Sequence, residues 1–243
     1  MFIPVSTASP DAFIHYAEAG YLACYPQVRF CRADFHLAAF NEKGFEHYGI
    51  AAPSHLKQAV TKRRAEYLAG RYCCATLLAA LEAPTAVPSG ADRAPCWPAG
   101  FTGSLSHCAG QAIALVTRQE QGWPGIDIEN FNGELMRESA GMMTQPEERA
   151  RLRAAPLDYE VALLLAFSAK ESLYKALYPQ VKRFFGFESA SITDIDAQRH
   201  RFRIMLNETL TPELRQGFSI EGQYQFDGNT MITLLLCERA KPA

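Results

Sequence analysis

No stretch of these 243 residues stays apolar for long. The longest uninterrupted run, Val161–Phe167, is seven residues. A membrane-spanning helix needs about twenty, so none is expected. The N-terminus, Met1-Phe-Ile-Pro-Val-Ser, lacks the basic segment and apolar core of a secretory signal, and a cytosolic chain is expected. Charge of one sign is also missing. The 24 basic and 26 acidic residues give a net charge of −2; divided at Trp123/Pro124, the halves carry 10 and 9, then 14 and 17. Neither half is basic enough to bind nucleic acid by bulk electrostatics, so no such partner is expected. Sixteen Gly and 14 Pro are too few for a fibrous or linker protein, and 48% apolar residues are too many for disorder. The seven cysteines are odd in number and contain no Cys-x-x-Cys pair, which excludes zinc-ligand spacing and a disulfide framework. Reduced thiols, several of them buried, are expected.

What remains is an ordinary globular composition, long enough for one large domain or two of roughly 120 residues. The first fifty residues are aromatic-rich and show no period. A helix is expected over Ser54–Leu81, with Pro53-Ser54 at its start and Pro84 at its end. Lys57, Arg64 and Arg71, seven apart, would stack along one face, with Arg63 beside them. Residues 83–103, rich in Pro and Gly, read as a long irregular loop that delivers the chain to Ser104-Leu-Ser-His107. Gln111–Thr117 and Gly125–Phe131 read as strands. Thr144-Gln-Pro-Glu147 has the form of a capping box opening a short helix through Arg153. A long helix over Tyr159–Tyr178 is stopped by Pro179, followed by strands near 185–195 and 201–206. A hairpin then pairs Phe218–Gln225 with Thr230–Cys237 across Asp227-Gly228. Helices and strands do not alternate regularly, so the class is α+β.

Three clusters carry chemistry. Asp127 and Glu129, two apart on a strand, point to one face, opposite Ile126 and Ile128. Adjacent carboxylates repel unless a proton or cation lies between them, and a hard divalent ion suits an all-oxygen pair. Taken alone, Asp-x-Glu more often marks an acidic edge strand facing water. The second cluster is Phe167-Ser-Ala-Lys-Glu-Ser-Leu-Tyr-Lys175. Glu171 and Lys175 fit a surface ion pair at i, i+4, but the apolar helix around them leaves little room for a purely solvent-facing role. A third carboxylate brought to the strand pair would complete a metal site, and the lysines would neutralise phosphate. The third cluster is Gly103-Ser-Leu-Ser-His107. It contains no Gly-x-Ser-x-Gly elbow, and His107 read by itself is a structural residue.

In order, Lys62–Tyr72, Gly103–Cys108, Gly125–Glu129 and Phe167–Lys175 resemble the 4′-phosphopantetheinyl transferases, and within them the branch like enterobactin synthase component D. The resemblance runs from about residue 50 to 190. It implies two similar α+β subdomains, about 1–120 and 121–243, related by a pseudo-twofold, with coenzyme A in the cleft between them and the chain a monomer. The implied activity moves the phosphopantetheine arm of coenzyme A to a serine of an apo acyl or peptidyl carrier protein and releases adenosine 3′,5′-bisphosphate. Such chemistry serves siderophore, nonribosomal peptide, polyketide and fatty-acid synthesis. Carried over by motif, the Mg²⁺ ligands are Asp127, Glu129 and Glu171. Phosphate-binding positions fall on Lys175, His107 and Lys170, with Ser106 beside the nucleotide and Arg64 and Arg71 near the 3′-phosphate. Arg93 stands in a loop where some relatives have a lysine before the proline, a position that is Ala94 here. The Thr144–Glu147 segment resembles an element whose glutamate approaches the site. The serine proton would pass to Glu171, or to a water oriented by Asp127 or Glu129. Lys182–Phe185 and Arg149–Arg153 are candidate carrier-docking patches, or solvated charge beside core aromatics. Two other classes fit the same residues less well: a divalent-metal phosphoryl hydrolase using water, and a non-catalytic relative that only binds carriers.

Overall fold

The computed structural model describes residues 1–239. The chain divides into two compact units, Met1–Pro124 and Gly125–Glu238. Both are α+β, each built on a five-stranded sheet.

In the first unit, β1 (Phe2–Ala8), β2 (Ile14–Leu22) and β3 (Arg29–Phe35) form a meander. These strands occupy the aromatic-rich segment that showed no sequence period. The bulges in β1 at Pro4/Ser6 and in β2 at Ile14/Tyr16 shift the register and blur the alternation. A short helix α1 (Lys43–His47) and the long α2 (Thr61–Ala80) follow, then β4 (Phe101–Cys108) and β5 (Gln111–Arg118). The sheet order is β1-β2-β3-β5-β4, antiparallel throughout. The interior strand β5 is buried from Ala112 to Thr117, which is why it reads as a continuous apolar run. The core lies between the sheet and α2, with Ile14, Cys31, Ala33 and Phe35 against Leu68, Ala69, Cys73 and Leu77.

The α2 helix is shorter than its pattern suggests. Leu56 is buried from a separate 3₁₀ turn, Ser54–Leu56, and Val60 is extended and exposed as the N-cap. Lys57 therefore does not share a helical face with Arg64 and Arg71. The loop before β4 is also shorter, because β4 begins at Phe101. His107 thus stands on a strand rather than at the end of a loop.

In the second unit, β6 (Trp123–Asn130) leads into α3 (Gly133–Met143), α4 (Pro146–Ala154) and α5 (Tyr159–Val181). Then come β7 (Ala190–Asp196), β8 (Arg201–Leu206), β9 (Ser219–Phe226) and β10 (Thr230–Cys237), in the sheet order β6-β10-β9-β8-β7. The final hairpin turns at Gly228, φ +98°, while Asp227 accepts from the backbone N–H groups of Asn229 and Thr230.

Three local expectations are corrected. Sequence reading missed α3, which starts where the Asn132 side chain accepts from Leu135 N–H. Thr144 ends α3 instead of capping α4; its hydroxyl donates to Ala140 C=O, and Gln145 is the N-cap of α4. Pro179 does not stop α5. It lies inside the last turn, and the helix ends at Lys182 in the left-handed conformation, φ +54°. No disulfide joins any of the seven cysteines, all of which lie among the described residues. Cys73 and Cys74 are fully enclosed in the first core, and burial pushes both thiols up, Cys74 to about 12.

Candidate functional site

On β4, residues Gly103, Leu105 and His107 share a face by the two-residue period of a strand. Gly70 of α2 sits against Leu105, so the helix lies close to this face. Two turns and one turn earlier on α2, Arg63 and Glu66 reach His107. Arg63 Nη1 is 3.0 Å from His107 Nε2, and Glu66 Oε2 is 3.6 Å from Nδ1. A guanidinium only donates, so Nε2 is the acceptor and the ring proton sits on Nδ1, towards Glu66. Ser104 and Ser106, on the alternate face, are buried.

Arg71, 6% exposed, lies over the Tyr67 ring at 4.5 Å and donates from Nη2 to Ser89 Oγ at 3.2 Å. Its Nε is buried with no partner among the described residues. Ser89 belongs to the loop that also carries Arg93, which is exposed with φ +65°. A buried guanidinium with one hydroxyl for company suits an anion. Arg64, by contrast, is already paired with Glu42 at 2.8 Å. The structure therefore separates the two arginines that the sequence stripe had joined.

In the second unit, Gly125, Asp127 and Glu129 share the face of β6 that meets α5. A Cβ at Gly125 would collide with the backbone oxygen of Ser172, so only glycine lets strand and helix approach this closely. Ile126 and Ile128 are fully buried on the other face. On α5, Ser168, Glu171, Ser172 and Lys175 recur at i, i+3, i+4 and i+7 and form one stripe. Lys175 Nζ is 2.7 Å from Asp127 Oδ1 and 3.1 Å from Ile126 O. Ser168 Oγ donates to Asp127 Oδ2 at 2.9 Å. Burial pushes the Glu171 carboxyl above its usual range; Lys175 pulls it down, and the negative charge of Asp127 pushes it up again.

Among the described residues, no three His, Cys, Asp or Glu groups are gathered as a formed metal cage. The donor chemistry nonetheless fits a hard divalent cation: carboxylate oxygens only, partly desolvated, with Asp127 and Glu171 repelling each other. Lys175 supplies the positive charge at Asp127 in this arrangement.

Lys170 is placed differently from expectation. It is 4% exposed, and its ammonium donates to Glu148 Oε2 (2.7 Å), Met143 O (2.7 Å) and Phe187 O (3.0 Å). All three protons are used inside the unit, and none is left for a phosphate. Glu148 Oε1 accepts from Ile192 N–H at 2.7 Å. The pair therefore ties α5 to α4, to the end of α3 and to β7. Glu147, the glutamate the sequence motif singled out, is exposed.

Residues 52–117 match the 4′-phosphopantetheinyl transferase N-terminal domain, and residues 124–226 match the 4′-phosphopantetheinyl transferase superfamily. The chain is 35% identical over 204 residues to enterobactin synthase component D of Salmonella austin, covering 82% of this chain and 84% of that protein.

The chain belongs to the 4′-phosphopantetheinyl transferase superfamily.

Other relatives include enterobactin synthase component D of Salmonella typhi, 40% identical over 67% of this chain and 69% of that one. The 4′-phosphopantetheinyl transferase PptT of Mycobacterium tuberculosis is 40% identical over 57% and 61%. This transferase is thus an enzyme of a family that uses coenzyme A and carrier proteins, and no helix among its described residues is long and apolar enough to cross a membrane. Sequence reading of the transferase missed Glu66, Glu148, Ser168, Ser172 and Thr233 as partners of site residues. Glu148 left one usable signal. It stands four residues before Leu152, and both are fully buried on α4.

Proposed function

We propose that this transferase moves the 4′-phosphopantetheine arm of coenzyme A to a serine of an apo acyl or peptidyl carrier protein, with Mg²⁺, releasing adenosine 3′,5′-bisphosphate. The chain would act in the cytoplasm as a monomer with one site. The observation that supports this most is the group on β6 and α5: Asp127 and Glu171 close enough to repel, with Lys175 on Asp127. In the first unit, Arg71 with Ser89 would hold the 3′-phosphate, and Arg63 with His107 a further phosphate. Ser106 and Arg93 would lie along the nucleotide, and Arg64 would act through its pair with Glu42.

Asp127, Glu129 and Glu171 would hold the cation, which when bound supplies charge neutralisation for the pyrophosphate and the leaving bisphosphate. The residues of the chain do the rest. Lys175 offsets charge on the transferred phosphate. Glu171, or a water oriented by Asp127 or Glu129, accepts the proton of the attacking serine. The serine oxygen then bonds to the β-phosphorus as the bond to the bisphosphate oxygen breaks. Siderophore, nonribosomal peptide, polyketide and fatty-acid synthases all offer such carriers.

Intact-protein mass of apo carrier incubated with the enzyme, coenzyme A and Mg²⁺ tests the reading. A gain of one phosphopantetheine is expected for the wild type and none for Glu171→Gln. No gain on any of several carriers would overturn it. Bisphosphate release without carrier modification would point to a hydrolase instead.

A further inference from the structure

A chain of buried hydroxyls lies behind Asp127. Ser168 and Ser172 of α5 and Thr233 of β10 are all 0% exposed. Thr233 is the one polar residue between Met231 and Cys237, in a strand otherwise made for core. A buried hydroxyl in such a place costs free energy unless it is bonded, and valine of the same shape would fill the space. Thr233 Oγ1 lies 2.9 Å from Ser168 Oγ and 2.8 Å from Ser172 Oγ. Ser172 Oγ is also 3.0 Å from the Thr233 carbonyl oxygen.

Counting protons gives the chain a direction. Each hydroxyl has one proton to donate. Ser168 spends its proton on Asp127 Oδ2. It must therefore accept at Thr233, so Thr233 donates to Ser168. Thr233 then has no second proton for Ser172, whose own single proton is directed at the Thr233 carbonyl oxygen and Oγ1 together. The order is Thr233 to Ser168 to Asp127, a one-way line of donors ending on a carboxylate oxygen. The opposite order would require Asp127 to donate, yet its other oxygen already accepts from Lys175.

We propose that Thr233 is a positioning residue for the transfer reaction: through Ser168 it holds Asp127 in one orientation, Oδ2 tied inward and Oδ1 turned to Lys175. The proposal rests on the reading of Asp127 as a metal ligand. Partners that orient metal ligands are typically worth about 10- to 100-fold in affinity.

The test uses Thr233→Val, Thr233→Ser and Asp127→Asn in the full chain. Mn²⁺ binding is followed by electron paramagnetic resonance with coenzyme A present and carrier absent, against a coenzyme A blank. Carrier-transfer kinetics and Tm accompany it. Thr233→Val is expected to lose about tenfold in Mn²⁺ affinity and to need correspondingly more Mg²⁺ for half-maximal rate. Its KM for coenzyme A at saturating Mg²⁺ stays unchanged, and Thr233→Ser restores the wild-type values. If Thr233→Val does not fold, Ser168→Ala replaces it with the same expectation. Wild-type Mn²⁺ affinity in Thr233→Val while Asp127→Asn loses binding overturns the positioning role alone. Wild-type affinity in Asp127→Asn as well overturns the metal reading, and the proposal with it.

Discussion

The long helices of the two units handle charge in opposite ways. On α2, Lys62 and Arg64 pair with Glu66 and Glu42, but Arg71 is buried with a ring and one hydroxyl and Arg63 meets a histidine, so these two guanidiniums have no carboxylate in an ion pair among the described residues. On α5, Lys170 is buried against Glu148, and Lys175 sits on Asp127, so each ammonium has its own carboxylate. A surplus of unmatched cation is what an incoming polyanion needs. A matched and partly repelling set of carboxylates is what an incoming cation needs. The topologies differ less than the chemistry: in both units the last strand, β5 or β10, lies beside the strand that precedes the helices, β3 or β6.

The largest effect should come from breaking the buried pair. Glu148→Ala leaves an uncompensated ammonium in the core of the second unit and should cost about 3–5 kcal/mol in denaturant unfolding. Glu147→Ala, on the exposed side of α4, should stay within about 0.5 kcal/mol. That contrast separates the two adjacent glutamates, which the sequence motif could not do. Capping chemistry and a family likeness both pointed at Glu147. The fold chose Glu148 because α3 ends at Thr144 and shifts the register of α4 by one residue.

Elsewhere legibility followed the strength of local pattern. The Asp127/Glu129 face was readable from the two-residue period, and Glu171 and Lys175 from helical spacing, because both periods are set by the backbone itself. The hairpin at Asp227-Gly228 was readable because its turn demands those residues. The first two strands were not, since a bulge in each breaks the alternation. Nor was the link from Thr233 to Asp127, which spans residues far apart in sequence and rests on two hydroxyls with no common motif.

Gly125→Ala comes next in size. The added methyl meets the Ser172 carbonyl, so β6 and α5 must part, at a cost of about 1–3 kcal/mol with loss of transfer. Equivalent crowding at Gly70, which faces only the end of the Leu105 side chain, should cost less.

Glu171→Gln should abolish transfer yet raise Tm at neutral pH. The folded carboxyl titrates above its ordinary 4.5, so the folded state holds the proton more tightly than the unfolded one. Stability contributed by the wild-type residue is therefore lost as pH rises through that interval. The gain from glutamine should be full above the raised value and absent below the ordinary one. Thermal melts across pH 3.5 to 8 check it, and a constant difference at every pH would remove the electrostatic explanation. A small stability effect, under about 1 kcal/mol, belongs to His107→Ala, because its partners are partly exposed. Its consequence should appear as a raised KM for coenzyme A.

The division of labour between the helices is tested most directly by comparing coenzyme A with 3′-dephospho-coenzyme A as substrates for the wild type, Arg71→Ala and Glu171→Gln, with Mn²⁺ affinity measured on the same proteins. Arg71→Ala should lose the preference for coenzyme A while keeping its Mn²⁺ affinity. Glu171→Gln should lose Mn²⁺ affinity and turnover while still binding coenzyme A more tightly than the dephosphorylated form. Metal loss in Arg71→Ala together with an unchanged preference for coenzyme A would contradict the assignment of anion to one helix and cation to the other.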